Sequence, residues 1–376
     1  VSLGELLWGS LAAILGLVVP KDPRLVVFCG RHYGGNSAPL FERCAEVGLR
    51  GVWLTRDRAQ VGRHGALWTR SLAGVWAAAR AGNVVLTHAL GDLSPIRFPR
   101  RATRLFNVWH GMPIKRISRA DPGFWERSYA RANVREQARY EGMFVTSPKM
   151  AEIFAETFAI SPERVHVTGQ PRNDVLVAEE ATPPPAEGLP AHRRRILYCP
   201  TWREGTQVRL FPFADRDLPG LAEVLEELGA VMYVRTHPND AAAAASVFEE
   251  GGERIVPMQG DVVPEINEVL ASFDVLITDY SSVYYDYLML DRPTIFLPYD
   301  VDAYAKAPGF YVPFDEIAAG PRPSTQAELV AALREACAGE DAWAEPRARV
   351  RDMVYARIDD GATLRVLQVI AGRERS

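Results

Sequence analysis

Short, continuous apolar runs rich in β-branched residues punctuate the chain from end to end, with helical stretches between them. In the first half these runs are Leu25–Cys29, Gly51–Leu54, Asn83–Thr87, Leu105–Trp109, Gly142–Thr146 and Val165–Thr168. In the second half they are Ile196–Cys199, Val231–Arg235, Val275–Thr278 and Thr294–Leu297. Runs that are apolar at every position, rather than at alternate ones, suit strands of a parallel sheet covered on both faces. With helices between them, each half reads as a doubly wound α/β unit. The seam falls at Ala181–Gly188, where Pro183, Pro184 and Pro185 can continue neither a helix nor a central strand and make a stiff linker. The expectation is two Rossmann-like domains, residues 21–182 and 191–353, preceded by an apolar helix in residues 1–20.

Composition narrows the function classes. The 376 residues suffice for two or three domains, and 48% hydrophobic with 24% charged residues excludes a disordered chain and a polytopic membrane protein. Forty-three basic against 47 acidic side chains leave a net charge of −4, so no basic field invites nucleic acid. Cys29, Cys44, Cys199 and Cys337 lie far apart without a C-x-x-C pair, which argues against a zinc ribbon or a disulfide framework and for a reducing compartment. The apolar run Leu3–Val19 carries one charge, Glu5, and lacks the basic stretch of a secretory signal. It is marginal for a membrane span. It reads either as a packed helix or as one lying in a membrane interface, with Trp8 at headgroup level.

The residues just past each strand carry the chemistry. His88, His110-Gly111, Ser147, Gly169, Pro200-Thr201, Thr236-His237 and Asp279 each stand where an apolar run ends. Ligands of open parallel sheets bind outside the carboxyl ends of the strands, so this set implies a cleft between two facing domains. In Leu276-Ile277-Thr278-Asp279-Tyr280-Ser281-Ser282 the strand ends at Asp279, and Ser281 and Ser282 open the next helix. Hydroxyls and unpaired amides there suit an anion, although a plain Ser N-cap explains the same residues. His110, in Trp109-His110-Gly111-Met112-Pro113-Ile114-Lys115, and His237, in Arg235-Thr236-His237-Pro238, are each either a proton acceptor or a structural histidine. Arg172, in Gly169-Gln170-Pro171-Arg172-Asn173-Asp174, is either a solvated charge or a phosphate clamp. Pro200-Thr201-Trp202-Arg203 places a hydroxyl, an aromatic ring and a cation at one strand end. The remaining histidines, His88 among them, read as structural. Asp215-Arg216-Asp217 has a D-x-D pattern in a Pro-flanked loop, a weak metal signal.

Taken in order, W-H-G-x-P-[IL]-K, G-x-P-R-N-D, L-Y-x-P-T-W-R, R-x-H-P and L-I-T-D-Y-S-S-x-x-x-D-Y resemble the CDP-glycerol glycerophosphotransferase family of teichoic acid and capsule polymer biosynthesis. The resemblance runs from about Leu25 to about Tyr304. It implies a GT-B-like fold with an acceptor-binding first domain, a CDP-glycerol-binding second domain, and residues 354–376 returning as a helix to the first. It implies donor contacts at His110, Gly111, Met112, Pro113, Ile114, Arg172, Pro200, Thr201, Arg235, Thr236, His237, Asp279, Ser281, Ser282 and Asp286. Gln170, Met112 and Thr236 depart from the residues common at those motif positions, and the motifs leave primase and polymerase both open.

The reaction implied is transfer of glycerol phosphate, or a related polyol phosphate, from CDP-glycerol to a hydroxyl of a polyprenyl-linked saccharide or growing polymer, with CMP leaving. His110 would be the general base and His237 would steady the departing CMP. No cofactor is implied and no metal is demanded, because the donors present can offset the charge. The alternative on the same fold is a glycosyltransferase or epimerase using a UDP-sugar. A lipid-linked acceptor places the enzyme peripherally on the cytoplasmic face of the bacterial membrane. Arg97, Arg100, Arg101, Arg104, Lys115, Arg116 and Arg119 could then face anionic lipid.

Overall fold

The computed structural model describes residues 3–29, 32–94, 96, 98, 103–177, 182–185, 192–203, 205–237, 240–339 and 341–372. The linker positions 181 and 186–188, and Arg97, Arg100, Arg101 and Pro238, lie outside the described residues. The chain divides into two compact units, the first comprising Val1–Met112, Ser118–Asp174 and Tyr355–Ser376, the second Pro113–Ile117 and Val175–Val354. The W-H-G-x-P motif is therefore shared, with His110, Gly111 and Met112 in the first unit and Pro113 and Ile114 in the second.

Among the described residues the first unit is built on seven strands, β1 (Asp22–Cys29), β2 (Arg50–Thr55), β3 (Leu67–Trp68), β4 (Ala81–Leu86), β5 (Arg104–Asn107), β6 (Tyr140–Val145) and β7 (Val165–Val167). They pair in parallel in the order β3-β2-β1-β4-β5-β6-β7. Its helices are α1 (Leu3–Val18), α2 (Ser37–Arg43), α3 (Leu72–Arg80), α4 (Ala130–Gln137) and α5 (Pro148–Phe158). The second unit holds β8 (Arg194–Cys199), β9 (Ala230–Val234), β10 (Ile255–Pro257), β11 (Val275–Thr278) and β12 (Thr294–Phe296), parallel in the order β10-β9-β8-β11-β12. Its helices are α6 (Leu218–Glu227), α7 (Ala241–Gly251), α8 (Asn267–Leu270), α9 (Val283–Tyr287), α10 (Val301–Lys306), α11 (Phe314–Ile317), α12 (Gln326–Ala338) and α13 (Ala344–Val354). The closing helix α14 (Ala362–Ile370) belongs to the first unit, where Val366, Leu367 and Ile370 share a buried core with Val26, Phe28, Leu40 and Phe106. Both sheets are all-parallel among the described residues, and each has a strand-order reversal, between β1 and β4 and between β8 and β11. Those reversals are where doubly wound sheets open a crevice at their carboxyl ends.

The apolar N-terminal run folds as α1 and rests on α3. Gly9, Ala12 and Gly16 form its buried stripe, small residues that let the two helices approach closely, while Leu7, Leu11, Ile14 and Leu17 face outward. Among the described residues no helix is long and apolar enough to cross a membrane.

Local chemistry accounts for two features of the sequence. The D-x-D aspartates are backbone acceptors: Asp217 caps α6 through Gly220, and Asp215 takes the Gln326 and Ala327 amides at the start of α12. The basic stretch is partly committed to the fold. Arg104 donates to Asn83 and to the Ile370 carbonyl, and Arg116 donates to the Phe310 carbonyl.

Candidate active site

In the first unit the site gathers after β4 and β5, two neighbouring strands. Thr87 follows β4 and holds two imidazoles: its carbonyl oxygen lies 3.2 Å from His110 Nδ1, and its hydroxyl 3.1 Å from His88 Nδ1. A carbonyl can only accept, so His110 Nδ1 is the donor, the tautomer that in a neutral ring puts the lone pair on Nε2. His88 and His110 stack with ring centroids 4.2 Å apart and 9° between planes, and Trp109 stacks on His110 at 4.5 Å. His110 itself is exposed.

The loop carrying His110 is forced into shape. Trp109 adopts φ 52°, a left-handed conformation that side chains other than glycine seldom take outside functional sites. Asn36, fully buried after β1, donates to the Val108 and Trp109 carbonyls at 3.0 and 3.1 Å and accepts the Arg172 amide at 3.0 Å. Arg172 Nη1 donates to the His110 carbonyl at 2.8 Å. Arg172 is thus neither a solvated charge nor simply a phosphate clamp, because it braces the histidine loop. Its neighbours are structural as well: Asn173 donates to the Tyr355 hydroxyl, and the Asp174 carboxylate accepts the Ala362 and Thr363 amides at the start of α14. Burial raises the Asp174 carboxyl above its ordinary range against those bonds.

In the second unit the site forms at the β8/β11 reversal. Asp279, 1% exposed, accepts the Thr201 amide at 2.8 Å and the Thr201 hydroxyl at 2.6 Å, and Arg203 Nη2 donates to its other oxygen at 2.8 Å. Arg203 also grips Asp300 through Nε and Nη2 at 2.8 and 2.9 Å, and lies against the rings of Tyr280, Tyr299 and Tyr304. Burial pushes Asp279 up, while at Asp300 the same effect is outweighed by the Arg203 bonds, which hold its carboxyl below the ordinary range. Asp279, expected to touch the donor, is instead the buried anchor that ties the Pro200–Arg203 loop to the end of β11. Arg203 is the hub of this network.

Ser281 and Ser282 stand half-buried beyond Asp279, and Ser282, at the N-cap of α9, makes no capping bond with its side chain. The plain N-cap explanation therefore fails for Ser282. Asp286 is buried on α9. Met112 and Ile114 are buried to within 2% and pack inside the protein, and Pro113 is also buried, so their side chains shape the loop rather than present a surface. Arg235 donates to the Val263 and Pro264 carbonyls, and Thr236 pairs with Gln259, so both hold the loop after β10. His237 is exposed, 5.3 Å from the Trp202 ring. Among the described residues at this end, Thr201, Trp202, Arg235, His237, Ser281 and Ser282 are exposed or half-buried.

Residues 11–372 match the family model described as CDP-Glycerol:Poly(glycerophosphate) glycerophosphotransferase. The chain is 31% identical over 228 residues to a teichoic acid poly(glycerol phosphate) polymerase of Staphylococcus epidermidis, covering 57% of this chain and 31% of that protein. It is 27% identical over 284 residues to a teichoic acid glycerol-phosphate transferase of Staphylococcus aureus, covering 71% of each. A teichoic acid poly(glycerol phosphate) polymerase of Bacillus subtilis is 30% identical over 329 residues, 82% of this chain and 43% of that one. The chain thus spans less than half the length of either polymerase. The solved wall teichoic acid polymerase TagF superposes with a TM-score of 0.76 at 24% identity, covering 97% of this chain and 93% of that chain. A putative UDP-N-acetylglucosamine 2-epimerase from Listeria monocytogenes superposes at 0.59 with 16% identity, over 92% and 96%. Both likenesses concern the fold.

Proposed function

Since the chain belongs to the CDP-glycerol:poly(glycerophosphate) glycerophosphotransferase family, we propose that it transfers a polyol phosphate from CDP-glycerol, or a related CDP-polyol, to a hydroxyl acceptor. The acceptor is a membrane lipid-linked saccharide or a growing teichoic acid or capsule polymer, and CMP is released. The observation that carries this reading is the contact between His110 Nδ1 and the Thr87 carbonyl. It orients Nε2 as the proton acceptor. As the acceptor oxygen attacks the β-phosphorus, Nε2 takes its proton, and the bond from that phosphorus to the bridging oxygen breaks with its electrons leaving on CMP. His237, Ser281 and Ser282 offset charge on the pyrophosphate, and Trp202 beside His237 offers a face to the base. Arg172 and Asn36 keep His110 in place, and the Asp279–Arg203–Asp300 network keeps Thr201 in place.

The outward apolar face of α1, continued by Leu72 and Trp76 on α3, supports peripheral attachment to a membrane at its cytoplasmic face, where a soluble nucleotide and a lipid-linked acceptor meet. A donor screen tests the chemistry: CDP-glycerol, CDP-ribitol and UDP-sugars are offered with a lipid-linked disaccharide, and the product is weighed. A mass gain of one polyol phosphate is expected. A gain of one sugar would overturn the reading.

A further inference from the structure

A cavity of about 160 Å³ opens in the first unit on the His88 side of the histidine pair, walled by residues of the loop after β5 and of α4. Its volume is well below the roughly 300–1,000 Å³ of ordinary ligand pockets, so a nucleotide does not fit it but a single small unit does. One polar group in its wall lacks a partner. Gln137, 5% exposed, donates through Nε2 to the Ser118 hydroxyl at 2.9 Å, yet its buried Oε1 has no hydrogen-bond partner. A buried oxygen without a donor is costly, and a ligand hydroxyl reaching it from the cavity would supply one. Two walls of the cavity, Trp109 and Ser118, hold left-handed backbone at φ 52° and 48°, the kind of conformation kept at binding sites. Arg127, ion-paired with Asp121 at 3.0 Å, brings positive charge to the lining, and Asn133 adds an amide.

A hydroxyl-seeking carbonyl, an amide, a cation and the aromatic walls of Phe124 and Tyr129 describe a site for a polyol phosphate. We propose that this cavity holds the terminal polyol phosphate unit of the acceptor, with its hydroxyls toward Gln137 and His88 and its phosphate toward Arg127. The proposal deepens the transferase reading and rests on it. His88 then acquires a positioning role. Stacked on His110 and lining the cavity, it sets the acceptor hydroxyl beside the base.

The test uses the full chain with CDP-glycerol as donor and a short oligo(glycerol phosphate) as acceptor. Asn133→Ala, Tyr129→Ala and Gln137→Leu are each expected to raise the acceptor KM about threefold to tenfold, the loss expected for one or two hydrogen bonds or a ring contact. The Kd for CDP-glycerol by calorimetry should stay within about twofold of wild type. Arg135→Ala, on the same helix, should change neither. If Gln137→Leu does not fold, the Asn133 and Tyr129 variants, which reach solvent, decide the matter. An unchanged acceptor KM in both, or an equal loss of donor affinity, overturns the proposal. Saturation-transfer NMR with the oligomer alone separates the two claims. Binding by wild type that these variants lose, without turnover of any CDP-polyol, would uphold the cavity and overturn the donor reading.

Discussion

A Cβ placed on Gly111 would lie 2.6 Å from Nη2 of Arg172, in space that the guanidinium already fills, while Nη1 of the same arginine donates to the His110 carbonyl. Gly111 also sits at φ 135°, which a side chain resists. Gly111→Ala should therefore displace Arg172 and loosen His110, destabilising the protein by about 1–3 kcal/mol and lowering kcat at least about tenfold. Arg172→Ala removes the collision but not the backbone strain, so the double variant should lose less than the sum of the two single variants. Strict additivity in that cycle would contradict the coupling.

His110→Ala should lower kcat by about 10²–10⁴ and leave the Kd for CDP-glycerol nearly unchanged, because a base acts in the transition state. Ser281→Ala combined with Ser282→Ala should instead weaken donor binding. Calorimetry with CDP-glycerol distinguishes them, and equal affinity losses in the two proteins would refute this division of labour.

Much of this site was legible in the sequence, because continuous apolar runs announce parallel strands and the polar residues at their ends must then share one edge of the sheet. The strands β3 and β10, two and three residues long, are too short to carry a periodic signal. The function of a charge at a strand end was not legible. Asp279 and Arg203 look alike as ligand contacts until the fold brings them together across 76 residues. His88 acquires meaning from the β4/β5 pairing, which sets its ring on that of His110. Asn36 gave no signal beyond its place after β1, since its three bonds reach loops distant in sequence.

The Asp279–Arg203–Asp300 network predicts opposite pH responses. A depressed folded pKa at Asp300 means the unfolded chain takes its proton first, so its stabilisation is present above about pH 4 and is lost as pH falls through the folded value. A raised folded pKa at Asp279 means the native state takes its proton first, so this group's contribution declines as pH rises above about 4. Asp300→Asn should flatten the acid limb of the stability curve, and Asp279→Asn should steepen it. Urea melts from about pH 3 to 7 check both, and an unchanged acid limb in Asp300→Asn would count against the assignment.

Replacing Leu7, Ile14 and Leu17 together by Ser should abolish co-sedimentation with phosphatidylglycerol vesicles without changing the melting temperature, since all three side chains face outward on α1. Undiminished sedimentation would remove α1 from the membrane account. Aggregation of the variant would show that this face is buried against protein.

CMP release by the purified protein with CDP-glycerol, measured with and without a lipid-linked disaccharide acceptor, is the most direct measurement. CMP should appear in proportion to acceptor consumed, one glycerol phosphate should be added per CMP, and His110→Ala should all but abolish both. Turnover of a UDP-sugar by a protein that leaves every CDP-polyol intact would contradict it.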